Sequence, residues 1–167
     1  VYTQRMQGVG RLAIAPDGTR YICDTHPHTG RIVRQRADQS IDDWLVRPTQ
    51  DMGGRYAGIA IFANGQIVAV NCLGNRLLVF NPDGTMAQSV GGAGNGDGQF
   101  ANPNGATLDE FGNLYVADTG NQRIQIFNAA LRYDGQISLG FKNPEGVAWL
   151  GEGQLAVADS GNGRVCM

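Results

Sequence analysis

Four positions carry a side-chain oxygen at near-regular distances: Asp24, Asn71, Asp118 and Asp159, separated by 47, 47 and 41 residues. A column of carboxylates could act in proton transfer or ligate a cation. Each of these residues, however, closes a short apolar run and precedes a turn such as TGN or SGN. There, an Asp or Asn side chain characteristically accepts backbone N–H bonds of the turn that follows. An arginine stands five to seven residues further on in every case: Arg31, Arg76, Arg123 and Arg164. The spacing is that of a repeated structural partnership between an acid or amide and a guanidinium, not of a catalytic ring.

The remaining chemistry-bearing residues are sparse. His26 and His28, the only histidines, flank Pro27 and form a weak candidate for a metal site. Such a site normally needs three or four converging ligands, so an exposed loop pair is the simpler reading. Cys23, Cys72 and Cys166 are odd in number, lack metal-ligand spacing and lie in or beside apolar strands, as buried inert thiols do. The glycine-rich segment GGAGNGDGQF lacks the Lys-Ser/Thr of a phosphate loop and does not open a helix. No nucleophile elbow or CxxC is present, and no Ser/His/Asp set can be assembled, so no catalytic residue is assigned.

Charge and composition narrow the partners. The net charge is −2 and Lys142 is the only lysine, whereas a nucleic-acid binder usually carries a basic stripe. Arg31, Arg34 and Arg36 alternate along one predicted strand and read as a solvated outer face. Nucleic acid is therefore disfavoured as a partner. No run approaches the roughly 18 apolar residues of a membrane span. The start, VYTQRMQG, lacks an initiator Met and a basic-then-apolar leader, which is compatible with a processed or incomplete N-terminus. Few lysines and Gly/Asn-rich loops fit an extracytoplasmic setting, secreted or envelope-associated in a bacterium.

The elements that position these residues emerge from an internal repeat. GRLAIAPDGTRYICD, AGIAIFANGQIVAVN, NGATLDEFGNLYVAD and EGVAWLGEGQLAVAD align. Each places an apolar run, a turn ending in Gly18, Gly65, Gly112 or Gly153, and a second apolar run. The runs are short, β-branched or aromatic and bounded by turn residues, which predicts strands; no helical period is sustained. The repeated arginine opens a third strand, as in RIVRQ, RLLVF, RIQIF and RVCM, and a fourth such as IDDWLV or MAQSV follows in three units. Four antiparallel strands repeating every forty-odd residues predict the blades of a β-propeller. The fold class is thus all-β, with about three and a half blades. The repeats fall at approximately 8–53, 54–99, 100–140 and 141–167 within a single region, 1–167.

Residues 91–127, GGAGNGDGQFANPNGATLDEFGNLYVADTGNQRIQIF, resemble the NHL repeat almost from end to end, through the Gly-rich lead-in, GQF, PxG, GNLYVAD and NxRIQxF. Weaker copies extend over nearly the whole chain. The departures are Arg11, where the other units have glycine; a longer loop, DTHPHTG; Asn71 in the Asp column; and an end at Met167 inside a third strand. The resemblance implies a ring of about six blades, or roughly 250–280 residues. A truncated sequence, closure with a second chain, or a small ring in which VYTQRM supplies the missing outer strand would each reconcile the two.

The resemblance also implies that the residue before the first-strand glycine faces the central channel. Its occupants, Gly10, Ala57, Asn104 and Glu145, differ while the frame around them repeats. PNG at 103–105 and PEG at 144–146 are similar to channel motifs of gluconolactonase-like propellers, where such residues hold a divalent cation. Asn104 and Glu145 are accordingly the ligand-binding candidates. Ca²⁺ is the one cofactor they could share, although it would need further oxygens. The leading expectation is a non-catalytic scaffold presenting loops and a channel mouth to a protein or small ligand, with no cofactor. The alternatives are a metal-dependent lactonase- or lyase-like enzyme, an RNA binder, and a structural subunit completing a ring with another chain.

Overall fold

The computed structural model describes residues 9–24, 31–46 and 54–167. Within these residues fifteen strands form four antiparallel sheets stacked as propeller blades. Blade 1 is β1 (Val9–Ile14), β2 (Arg20–Asp24), β3 (Arg31–Gln35) and β4 (Ile41–Val46). Blade 2 is β5 (Tyr56–Ile61), β6 (Ile67–Asn71), β7 (Arg76–Phe80) and β8 (Met86–Gly91). Blade 3 is β9 (Ala106–Leu108), β10 (Leu114–Asp118), β11 (Arg123–Phe127) and β12 (Tyr133–Ile137). Blade 4 has three strands: β13 (Pro144–Gly151), β14 (Gln154–Asp159) and β15 (Arg164–Cys166). Each sheet is a meander in sequence order, and neighbouring inner strands pack in the order β1, β5, β9, β13. His26, His28 and the segment VYTQRM lie outside the described residues, as does the side chain of Asp24.

Turn chemistry sets each hairpin. Between the first and second strands of blade 2, the Asn64 carboxamide accepts the Gln66 N–H at 2.9 Å, and Gly65 adopts φ +80°. In blade 3 Asp109 accepts from Phe111 and Asn113 at 2.9 and 2.8 Å, and Gly112 stands at φ +84°. A side chain with a Cβ resists that conformation, so glycine recurs at this point.

The blades adhere through period-2 alternation on strands buried from both sides. Along β6, Ile67 and Ala69 pack towards blade 1, with Tyr21, Cys23, Ile32 and Trp44. Val68 and Val70 pack the other way, with Phe100, Leu114, Val116 and Phe127 of blade 3. Each such aliphatic side chain contributes roughly 1.5–3 kcal/mol when removed from water. The whole of β6 is buried, as its unbroken apolar run predicts. The second strand of blade 4 differs: Val157 is buried against blade 3, while Gln154 is exposed.

Arg31 does not share a solvated face with Arg34 and Arg36; it is buried, 5% exposed, opposite Asp24 in the strand register. Arg34 and Arg36 are the pair at the surface, and both bind Asp42, at 2.8 and 2.6 Å. Hydrogen bonding from Arg34 holds the Asp42 carboxyl below the usual carboxylate range.

Candidate channel-mouth site and its supporting frame

The repeated Asp/Asn and Arg columns face each other directly. Asp24 and Arg31, Asn71 and Arg76, Asp118 and Arg123, and Asp159 and Arg164 are cross-strand partners between the second and third strands of their blades. In blade 3 one Asp118 oxygen accepts from Arg123 Nε at 2.8 Å, Asn121 Nδ2 at 2.8 Å and Gln125 Nε2 at 3.0 Å. The other oxygen accepts the Ala101 N–H at 2.8 Å. Asp118 therefore does not cap the turn after it, as its position in the sequence suggests; it ties down the segment entering its own blade, 17 residues upstream. Blade 4 repeats this arrangement: Asp159 accepts the Lys142 N–H at 2.6 Å, Asn162 at 2.8 Å and Arg164 Nε at 2.8 Å. Burial pushes the Asp159 carboxyl up, but these three donors outweigh it and hold the group below its usual range.

Arg123 extends the frame. Its terminal nitrogens donate to Gln136 Oε1 at 2.8 Å and to the Gly96 and Gln99 carbonyls at 2.7 and 3.0 Å. Gln125, fully buried in β11, accepts from Gly98 N and donates to the Gln99 carbonyl. The glycine-rich lead-in is thus a strap whose backbone is anchored by β11 side chains. The sequence reading missed Asn121 and Gln125. The available signal was a glutamine at an inward position of an otherwise apolar strand, where a buried amide requires partners.

Two of the three cysteines are not poised for chemistry. Cys23 and Cys72 are buried thiols; burial raises Cys23 to about 12 and also pushes Cys72 up. Cys166 is a partly buried free thiol.

The candidate ligand residues occupy a repeated irregularity of the inner strands. The register slips between Tyr56 and Gly58 in blade 2 and between Pro144 and Gly146 in blade 4, leaving Ala57 and Glu145 out of the ladder. In blade 3 both Asn104 N–H and the Gly105 carbonyl bond to Ala117, again two residues opposite one. These are β-bulges, which re-aim a side chain away from the sheet. The following glycines let adjacent inner strands touch. A Cβ on Gly105 would fall 2.6 Å from the Glu145 carbonyl oxygen, and the Gly105 N–H donates to that oxygen at 2.8 Å. Asn104 and Glu145 therefore sit on neighbouring bulges joined by a backbone hydrogen bond. Glu145 is exposed and Asn104 half-buried.

Blade 1 breaks the pattern with Arg11. Its Nη2 lies 3.4 Å from the Glu145 carbonyl oxygen, and both terminal nitrogens rest against Gly146. The donors present fit a divalent cation poorly. Asn104 and Glu145 offer two side-chain oxygens where Ca²⁺ takes six to eight, and a guanidinium stands beside them. Among the described residues no cluster of three or more His, Cys, Asp or Glu could hold a metal. No helix among them is long and apolar enough to cross a membrane.

Comparison with known proteins agrees with this architecture. The NHL repeat family model matches residues 100–127. The NHL repeat-containing protein 3 of Homo sapiens is 41% identical over 56 residues, covering 34% of this chain and 16% of that protein; the Mus musculus protein is 39% identical over the same length. Among solved structures, a streptogramin B lyase superposes with a TM-score of 0.77 at 18% identity, over 94% of this chain and 50% of that one. A putative gluconolactonase gives 0.76 at 12% identity, over 95% and 57%. A chain of a nidogen/laminin complex gives 0.73 at 23%, over 94% and 59%. The chain thus spans about half the length of these structures, which share its fold and range from enzymes to a member of a protein complex. Residues 100–127 thus match the NHL repeat, and the chain around them folds as four stacked blades of a β-propeller.

Proposed function

We propose that the chain is a non-catalytic binding scaffold that presents its loops and channel mouth to a protein or small ligand. The observation that carries this reading is a division of labour. In blades 3 and 4 the repeated carboxylates and arginines are consumed in holding strand entries, whereas the bulge residues vary and stay outside the ladder. A rigid frame with variable positions at one mouth suits recognition. Exposed apolar side chains on the first and last blades, among them Ile14 and Val165, favour a second chain or further blades covering those faces. An extracytoplasmic, envelope-associated or secreted setting is part of the same proposal.

The test replaces Asn104 and Glu145 together by alanine. Retained thermal stability with loss of ligand or partner binding is the expected result. Metal-stimulated hydrolysis of a simple lactone by the unaltered chain, lost in the double variant, would instead establish the alternative, a metal-dependent lactonase- or lyase-like enzyme.

A further inference from the structure

We infer that the channel mouth takes a small zwitterion, a molecule bearing both a carboxylate and an ammonium group such as a free α-amino acid, between Arg11, Asn104 and Glu145. The inference deepens the channel-mouth part of the proposed function and rests on it. Its starting point is Arg11, which stands where the other three blades carry Gly58, Gly105 and Gly146. From blade 1 it reaches the inner strand of blade 4, 134 residues away, and lies against Gly146 and the Glu145 carbonyl oxygen. The same carbonyl accepts the Gly105 N–H, next to Asn104. One backbone oxygen is therefore the meeting point of three blades.

Around it, two opposite charges remain uncombined. The Glu145 carboxylate is exposed and makes no ion pair with Arg11, whose single described contact is with the backbone. The Asn104 carboxamide has no hydrogen-bond partner among the described residues. A guanidinium offers a planar fork of donors that fits a carboxylate, an anionic carboxylate accepts an ammonium, and an amide can serve either. A simple anion would be repelled by Glu145 and a simple cation by Arg11. A ligand carrying both charges meets both groups, and its two ends satisfy donors and acceptors that no other side chain among the described residues engages.

The test is calorimetric titration of the intact chain with the individual proteinogenic α-amino acids. Each amino acid that binds is then compared with its N-acetyl derivative, which lacks the ammonium, and its methyl ester, which lacks the carboxylate. At least one amino acid is expected to bind, with both derivatives weaker by about tenfold or more. Arg11→Gln should remove the preference for the acid over the ester, and Glu145→Gln the preference for the amine over its acetylated form. The derivatives alone decide the matter should either variant fold poorly. The inference is overturned if no amino acid binds at millimolar concentration, or if binding is unchanged in both variants. Binding of the N-acetyl derivative as tight as that of the parent also overturns it, while leaving a channel-mouth site for carboxylates intact. The proposed function fails separately, if the Asn104/Glu145 double-alanine variant still binds whatever ligand or partner the scaffold takes.

Discussion

Blades 2 and 3 have the same strand order and the same hairpin chemistry, yet they secure their loops by different means. In blade 3, Asp118 and Arg123 are an ion pair with side-chain exposures of 0% and 8%, embedded among Asn121, Gln125 and the strap carbonyls. In blade 2 the equivalent partners are Asn71 and Arg76. Among the described residues Asn71 accepts the Gly74 N–H, at 2.9 Å, and its buried Nδ2 has no partner; Arg76 Nε turns to the Gly74 carbonyl at 3.1 Å. Blade 2 is nonetheless buried along β5, β6 and β7, with β6 and β7 packed on both faces. Apolar burial between neighbouring blades can thus build a blade without the ion pair. In blade 3 the pair also attaches the long lead-in strap.

That contrast can be broken most forcefully at Asp118. Asp118→Ala leaves the Arg123 charge buried without its carboxylate, and a loss of about 3–5 kcal/mol is expected in urea denaturation. Hydrogen exchange should show the 92–100 strap opening before the strands. A cost no larger than that of a surface substitution would mean the strap is held by β11 amides alone.

Next in size is Gly105→Ala. The added Cβ would fall 2.6 Å from the Glu145 carbonyl oxygen, a backbone atom that cannot swing aside. A destabilisation of about 1–3 kcal/mol is expected, with the blade 3–blade 4 interface weakened more than the interface of blades 2 and 3. Equal weakening of both would show that inner-strand contact does not localise the effect.

Asn71→Asp converts blade 2 towards blade 3. The orphan amide nitrogen becomes a carboxylate oxygen within the same cross-strand pair as Arg76, and a gain of about 1 kcal/mol at neutral pH is predicted. The new carboxyl, paired with a cation, would titrate below its unfolded value. The gain is therefore present above that value and disappears as pH falls through the lowered folded pKa. A loss of stability at neutral pH would show that desolvation of the acid outweighs the pairing.

The smallest effect is expected at Asp159, whose partner Arg164 is half-exposed. Its carboxyl is held below 3.8, so its contribution is complete above the unfolded pKa and is lost as the medium is acidified through the folded one. Asp159→Asn should flatten that part of the acid-unfolding profile. An unchanged profile would assign the acid sensitivity to the other depressed carboxyls, Asp42 and Asp109 among them.

The features legible in the sequence were those set by near neighbours along the chain. Alternating apolar residues in IVAVN, the positive-φ glycines at 65 and 112, and turn residues such as Asn64, three residues before the next strand, each act within a few residues, so the blades and their hairpins could be read directly. The pairing of the acid column with the arginine column was likewise visible, because five residues across a tight turn bring them opposite. Tertiary structure decided the rest. Asp118 chooses an N–H 17 residues upstream, Gln125 holds a strap 26 residues away, and Arg11 reaches across 134 residues to Glu145. None of these partners shares a local period with its target, since each contact arises only when separate segments are stacked. The chain alone therefore determined that blades form, whereas the stacking of those blades decided which side chains are consumed in holding them and which stay on the inner-strand bulges, outside the ladder.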